Sequence, residues 1–147
     1  MYQRILVPTD GSALSKKAVK SAVELAAATG AEVVAVNVVP RYPTSYFEGA
    51  LTISPSEVSR VEKQWAEQGQ VRVDAVTAAA AKAGVKARAI TVKSDLVAEA
   101  ILAAAKKHRC DLIVMASHGR KGIKRLLLGS ETQHVLTHGN IPVLVLR

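Results

Sequence analysis

The sequence predicts an α/β fold: one domain whose open, mostly parallel five-stranded sheet carries helices on both faces. Three observations predict it. Short runs rich in Val and Ile alternate along the chain with longer stretches whose apolar residues recur at helical spacing. One run, EVVAVNVV at 32–39, is apolar on both faces, as a parallel sheet sandwiched between helices requires. The length, 147 residues, suits a single domain 1–147 that buries roughly 70% of the surface its unfolded chain exposes.

Each element has its own signal. RILVP, 4–8, is a short apolar run stopped by proline and the turn residues TDGS, and reads as a buried strand. Ser12 is a good N-cap. Leu14, Ala18, Ala22, Leu25 and Ala26 keep helical spacing to about Ala28, with Val19 and Val23 widening the stripe, and Gly30 ends that helix. Residues 32–39 are the second strand. Residues 40–55 hold three prolines, a glycine and most of the aromatics, with no clear period, and read as a long mobile excursion. Ser56 or Glu57 opens a long helix to about Ala83. Gly69 interrupts it, at about 1 kcal/mol relative to Ala, and Gly84 stops it. KARAITV, 86–92, is a third strand. Asp95 is expected to cap a helix over about 96–108. Residues 111–116 are a fourth strand, Ser130 is expected to cap a fourth helix to about Thr137, and residues 141–146 form a last strand after the Gly139–Asn140 turn.

Composition narrows the function classes. Hydrophobic residues at 49% and charged residues at 22% exclude wholesale disorder. No apolar run approaches the ~20 residues of a bilayer span, and the N-terminal residues lack the pattern of a signal peptide. Cys110 is the only cysteine, so an intrachain disulfide is impossible and a cytoplasmic location is expected. The formal charge of +8 points to anionic partners. Nucleic acid is disfavoured among them, because stacking on bases needs aromatics among the basic residues and the stretch 119–125 has none.

In open α/β sheets the ligand crevice lies at the carboxyl ends of the strands, where the strand order reverses. The first and fourth strands are expected to flank it, since both end in polar, glycine-bearing turns, PTDGS and SHGRKG. A phosphate needs backbone N–H groups aimed at it and little side-chain bulk, and a helix N-terminus adds partial positive charge. Gly119 follows the fourth strand, Gly129–Ser130 opens the last helix, and Arg120, Lys121, Lys124 and Arg125 keep the potential between them positive. The segment matches neither GxxxxGK[ST] nor GxGxxG. Spacing alone leaves two readings, a phosphate cradle or a flexible connection with ordinary helix capping. Asp10 after the first strand is similarly open. It suits a ribose hydroxyl or a water-bridged magnesium ion, and Asp-Gly is also a common turn.

Over its whole length the chain resembles the universal stress protein (UspA) superfamily, in RILVPTDGS at its start, DLIVMASHG in its fourth strand and RLLLGSETQHVLTHGNIPVLVLR at its end. The ATP-binding branch carries Gly, two residues, Gly, nine residues, then Gly-Ser or Gly-Thr. Gly119, residues 120–128 and Gly129–Ser130 fit this pattern, while Ala116 replaces its first glycine and adds a methyl where the ligand approaches. The resemblance implies strand order 3-2-1-4-5, with adenine and ribose held by Pro8, Thr9, Asp10 and Val38, near Met115 and Ala116. It places the phosphates on Ser117, Gly119, Gly129, Ser130, Glu131 and Thr132. It further implies ATP, with Mg²⁺ accompanying the nucleotide, in a homodimeric regulatory protein of the stress response. The dimer would pair the last strand, PVLVLR, and the protein partner is unknown. The alternatives are an interaction protein without nucleotide, or an ATPase.

An ATPase needs a group that orients water at the γ-phosphate. Beyond Asp10, His118 and Glu131 the sequence offers none, so at most slow hydrolysis and no catalytic residue are expected. His134 and His138 have metal-ligand spacing but no third ligand, and no metal site is expected. His118 reads as a loop residue, Cys110 as structural, and Trp65 as a residue that packs or covers a partner surface rather than binding a base. The resemblance also allows phosphorylation at Ser130.

Overall fold

A computed structural model describes residues 1–43, 54–119 and 128–147. Among them the chain alternates β1 (Arg4–Pro8), α1 (Ala13–Thr29), β2 (Glu32–Val39), α2 (Pro55–Lys82), β3 (Ala87–Lys93), α3 (Val97–Lys107), β4 (Leu112–Ala116), α4 (Ser130–His138) and β5 (Val143–Leu146). The strands form one sheet in the order β3-β2-β1-β4-β5, parallel throughout. The order reverses between β1 and β4, so the two polar turns leave neighbouring strands at the same end of the sheet.

Strand alternation sorts the core into two layers. Ile5 and Val7, Val33 and Ala35, and Leu112 and Val114 face α1 and α2, where Ala18, Ala22, Ala26, Val73, Val76 and Ala80 meet them. Leu6, Val34, Val36, Ile113 and Met115 face α3 and α4, against Ala98, Ile101, Ala104, Ala105 and Val135. With almost no aromatic volume available, alanine stripes bring the helices close to the sheet, and Val, Ile and Leu fill the gap.

Ser12 caps α1 as expected, its Oγ accepting the Ser15 N–H at 3.2 Å. The long helix α2 starts one residue before the expected Ser56, with Pro55 in its first turn and Ser54 as N-cap. It runs through Gly69 without a break, because a Cβ there would lie 2.5 Å from Asn37 Oδ1 and 3.0 Å from Val39 Cγ2. The glycine is what lets α2 lie on β2. Two expected caps differ. Asp95 does not cap α3; its Oδ1 accepts the Arg41 N–H at 3.0 Å. The N-cap of α3 is Leu96, which has no side-chain acceptor. Glu131 of α4 supplies one instead, its Oε2 taking the Ala98 N–H at 2.9 Å. Ser130 is the first residue of α4 rather than its cap, a place that Gly129 fills. β5 starts two residues later than expected, at Val143. The excursion expected over 40–55 lies largely outside the described residues.

Candidate functional site

The turn after β1 is a small hydrogen-bonded scaffold. The Thr9 N–H donates to Val36 O at 2.9 Å, and the Asn37 amide Nδ2 donates to Thr9 O at 2.7 Å. Thr9 Oγ1 lies 3.2 Å from Ser15 Oγ and accepts the Gly11 N–H at 3.3 Å. Asp10 Oδ1 accepts the Ser12 N–H at 2.9 Å. The carboxylate is thereby held at the mouth of the turn, just before α1. Gly11, with φ 78°, supplies the left-handed backbone that lets the chain reverse here.

The turn after β4 closes against it. A Cβ on Gly119 would stand 2.6 Å from Asp10 Oδ2, so glycine alone admits that approach. The Ser117 N–H donates to Leu146 O at 2.7 Å, and the Gly129 N–H donates to Ser117 O at 2.7 Å. The Thr132 hydroxyl, fully buried, donates to Ala116 O at 3.0 Å and Ser117 O at 3.2 Å. These bonds bind the start of α4 to the end of β4. A Cβ at Gly129 would come within 3.2 Å of His118 Cα, so this contact too is made on a residue without a side chain. The first N–H groups of an α-helix have no intrahelical partner. In α4 those of Ser130, Glu131 and Thr132 lie beside the carboxyl end of β4, while the Gly129 amide is already taken.

The structure thus brings Pro8, Thr9, Asp10, Met115, Ala116, Ser117, Gly119, Gly129, Ser130, Glu131 and Thr132 to one end of the β1–β4 pair, with Val38 on the adjoining β2. Several of them have side chains committed to the fold, Thr9 among them through Ser15 and Gly11. Met115 lies in the core against α3 and α4, Glu131 caps α3, and Thr132 ties α4 to β4. Residues 120–127, with Arg120, Lys121, Lys124 and Arg125, lie outside the described residues. A cavity of about 430 Å³ opens beside Thr9 and Gly11 between α1 and α2, walled mainly by Val19, Val71, Val76 and Ala79. Gly119 and Gly129 do not line it.

The Universal stress protein family model matches residues 1–147, the full described fold and both turns included. The chain belongs to the universal stress protein family. Curated relatives include universal stress protein MJ0531 of Methanocaldococcus jannaschii, 36% identical, with 100% of this chain and 83% of the relative covered. Universal stress protein YxiE of Bacillus subtilis is 31% identical, with both chains covered completely. Among solved structures, MJ0577 of M. jannaschii superposes with a TM-score of 0.83 at 27% identity, covering 99% of this chain and 96% of its own. A universal stress family protein from Burkholderia pseudomallei superposes at 0.76 with 30% identity, covering 98% and 95%.

In this universal stress protein the sequence misses Asn37, the buried residue that fixes the β1 turn. An isolated polar residue in the apolar run EVVAVNVV is the signal that marks it. Its Oδ1 has no hydrogen-bond partner among the described residues and faces Gly69. His118 Nδ1 lies 3.3 Å from Gly119 O. His134 and His138 stack with ring centroids 4.1 Å apart. No group of three or more metal-ligating side chains occurs among the described residues. Trp65 packs, stacking on Tyr42 at 6.1 Å. Burial pushes the Cys110 thiol up to about 11. No helix among the described residues is long and apolar enough to cross a membrane.

Proposed function

We propose that the protein binds ATP, with Mg²⁺ on its phosphates, at the β1–β4 crevice and acts as a homodimeric, nucleotide-dependent regulatory module of the stress response. The observation that carries this reading is the close approach of the two turns. Asp10 meets Gly119, and the free amides of α4 open beside them. Pro8, Thr9, Asp10 and Val38 would hold the adenosine end. The phosphates would lie against Ser117, Gly119 and the amides of Ser130, Glu131 and Thr132, where the helix dipole favours negative charge. Asp10, with the nucleotide's own oxygens, suits a hydrated Mg²⁺, a hard cation that keeps several waters. Universal stress proteins of the same fold have been solved with cAMP and with dAMP, which supports an adenine nucleotide as the ligand class. Beyond Asp10, His118 and Glu131 the sequence offers no group to orient water at the γ-phosphate, and Glu131 is engaged in capping α3, so hydrolysis should be slow.

Ala116 favours a second reading, an interaction protein without nucleotide, because its methyl stands where the family pattern has glycine. One experiment separates the two. Mass spectrometry of what the freshly purified protein releases on denaturation should show an adenine nucleotide near one per chain. Added ATP with Mg²⁺ should raise the melting temperature of the emptied protein. Release of nothing, together with an unmoved melting temperature, would overturn the first reading in favour of the second.

A further inference from the structure

We propose that the end of the molecule opposite the crevice is a docking surface for an acidic segment of a partner protein, built from Arg88 on β3 and from Lys106, Lys107 and Arg109 at the end of α3. The surface is separate from the nucleotide site and does not depend on it.

The first observation is backbone strain. Three helices close with the same bond, from the residue that follows a left-handed one to a carbonyl five residues back. These are Ala31 N–H to Ala26 O at 3.1 Å, Val85 N–H to Ala80 O at 2.9 Å and Cys110 N–H to Ala105 O at 2.8 Å. The motif needs one left-handed residue. In α1 and α2 it is Gly30 (φ 74°) and Gly84 (φ 70°), but in α3 it is Arg109 (φ 54°), the one non-glycine with positive φ among the described residues. A side chain is unfavourable in that conformation. An exposed arginine stands where the fold itself asks for glycine.

The second observation is a shared field. His108 lies between Lys107 and Arg109. Burial first, then the charges of Lys107, Arg88 and Arg4, hold its imidazole below the usual histidine range. Arg88 shares a face of β3 with Ile90 and Val92, which pack toward α3, and it stands at the start of that strand, the end of the sheet where α3 finishes. The helix dipole accounts for Lys106 and Lys107 in a last turn. It accounts neither for a cation on the neighbouring strand nor for the strained one.

The third observation is that these cations are uncommitted. Arg88, Lys106, Lys107 and Arg109 are all exposed, and none takes part in the ion pairs found among the described residues. Carboxylates at the same end are engaged elsewhere. Glu32 holds Arg4 at 3.1 Å and Lys86 at 3.2 Å, and Asp111 accepts the N–H groups of Gln3 and Arg4. The occupant implied is a set of carboxylates on flexible side chains, which reach separate cations from outside. A nucleic-acid backbone fits less well. The four cations supply no ring for a base to stack on.

The test is fluorescence anisotropy of a labelled oligoglutamate peptide titrated with the full chain, beside a labelled random-sequence DNA duplex. The peptide should bind at low salt and weaken as salt is added. The combined variant Lys106→Gln, Lys107→Gln, Arg109→Gly should weaken it by about tenfold. Removing equal charge from α1, with Lys16, Lys17 and Lys20 all changed to Gln, should have little effect. Arg109→Gly alone should raise the melting temperature while weakening the peptide. Equal losses in the two charge-removal variants, tighter binding of the duplex than of the peptide at one salt concentration, or a lower melting temperature for Arg109→Gly would each overturn the proposal.

Discussion

Gly129 answers to two demands that pull its substitutions apart. As the N-cap of α4 it has extended backbone, φ −61° and ψ 153°, a conformation open to any residue. Asp is among the best residues for that place. Yet the position faces Ser117 and His118 and fronts the amides proposed to hold phosphate. Gly129→Asp should keep the fold once His118 gives way by a few tenths of an ångström to the new Cβ, while its carboxylate repels the nucleotide, and calorimetry should find ATP affinity reduced by at least about a hundredfold, or roughly 3 kcal/mol. Unchanged affinity in a folded variant would remove these residues from the site. Cys110 makes a different residue-scale prediction, one of pH. Burial holds its thiol at about 11 against an ordinary 9.0, so the folded state keeps the proton more tightly than the unfolded chain does. Its contribution is complete below pH 9.0 and is lost as pH rises through about 11. Melting temperature should fall over that window more steeply in the native sequence than in Cys110→Ala. Thiol reagents at neutral pH should label the native protein slowly and the unfolded chain fast.

Elements were most legible where their signals are local. Ser12 and Gly30 bracket α1 within its own sequence, and EVVAVNVV announces a strand buried on both faces. Capping failed to be legible where the acceptor comes from far along the chain. Asp95 looks like a cap for α3, but the acceptor is Glu131, thirty-three residues beyond the amide it satisfies. The two polar turns of the candidate site could be read from the sequence, but the approach of Asp10 to Gly119 depends on β1 and β4 being neighbours. Gly69 shows a local rule reversed by packing. Helix propensity alone expects Gly69→Ala to stabilise α2 by about 1 kcal/mol. The new Cβ would instead meet Asn37 Oδ1 at 2.5 Å and Val39 Cγ2 at 3.0 Å. Asn37 cannot swing away freely, since it is buried and its amide holds Thr9 O. The variant should lose roughly 1–3 kcal/mol, read from chemical denaturation, and the ATP affinity should weaken as the β1 turn shifts. A stabilised Gly69→Ala would mean that Asn37 yields and does not hold that turn.

At the scale of the whole molecule, the two edges of the sheet are managed differently. β3 bears Arg88 and Lys93, charges that discourage another strand from pairing there. β5 is VLVL without a charge, and Leu144 is 43% exposed on it. An apolar parallel edge left open invites association, so a second copy pairing along β5 is the expected fate, consistent with a two-fold, self-complementary interface. Two copies each carrying a formal charge of +8 repel at long range, so the dimer should tighten as salt rises. Deleting the last four residues is a blunt test, because it also removes Leu146 O, the acceptor for the Ser117 N–H in the candidate site. Leu144→Glu is sharper. Its backbone keeps the register Val114↔Leu144 with β4, while like charges are set directly into the proposed contact. Sedimentation should show a dimer for the native chain and a folded monomer for Leu144→Glu, with nucleotide affinity retained if each crevice is complete within one chain. A Leu144→Glu protein that still sediments as a dimer would move the interface away from β5.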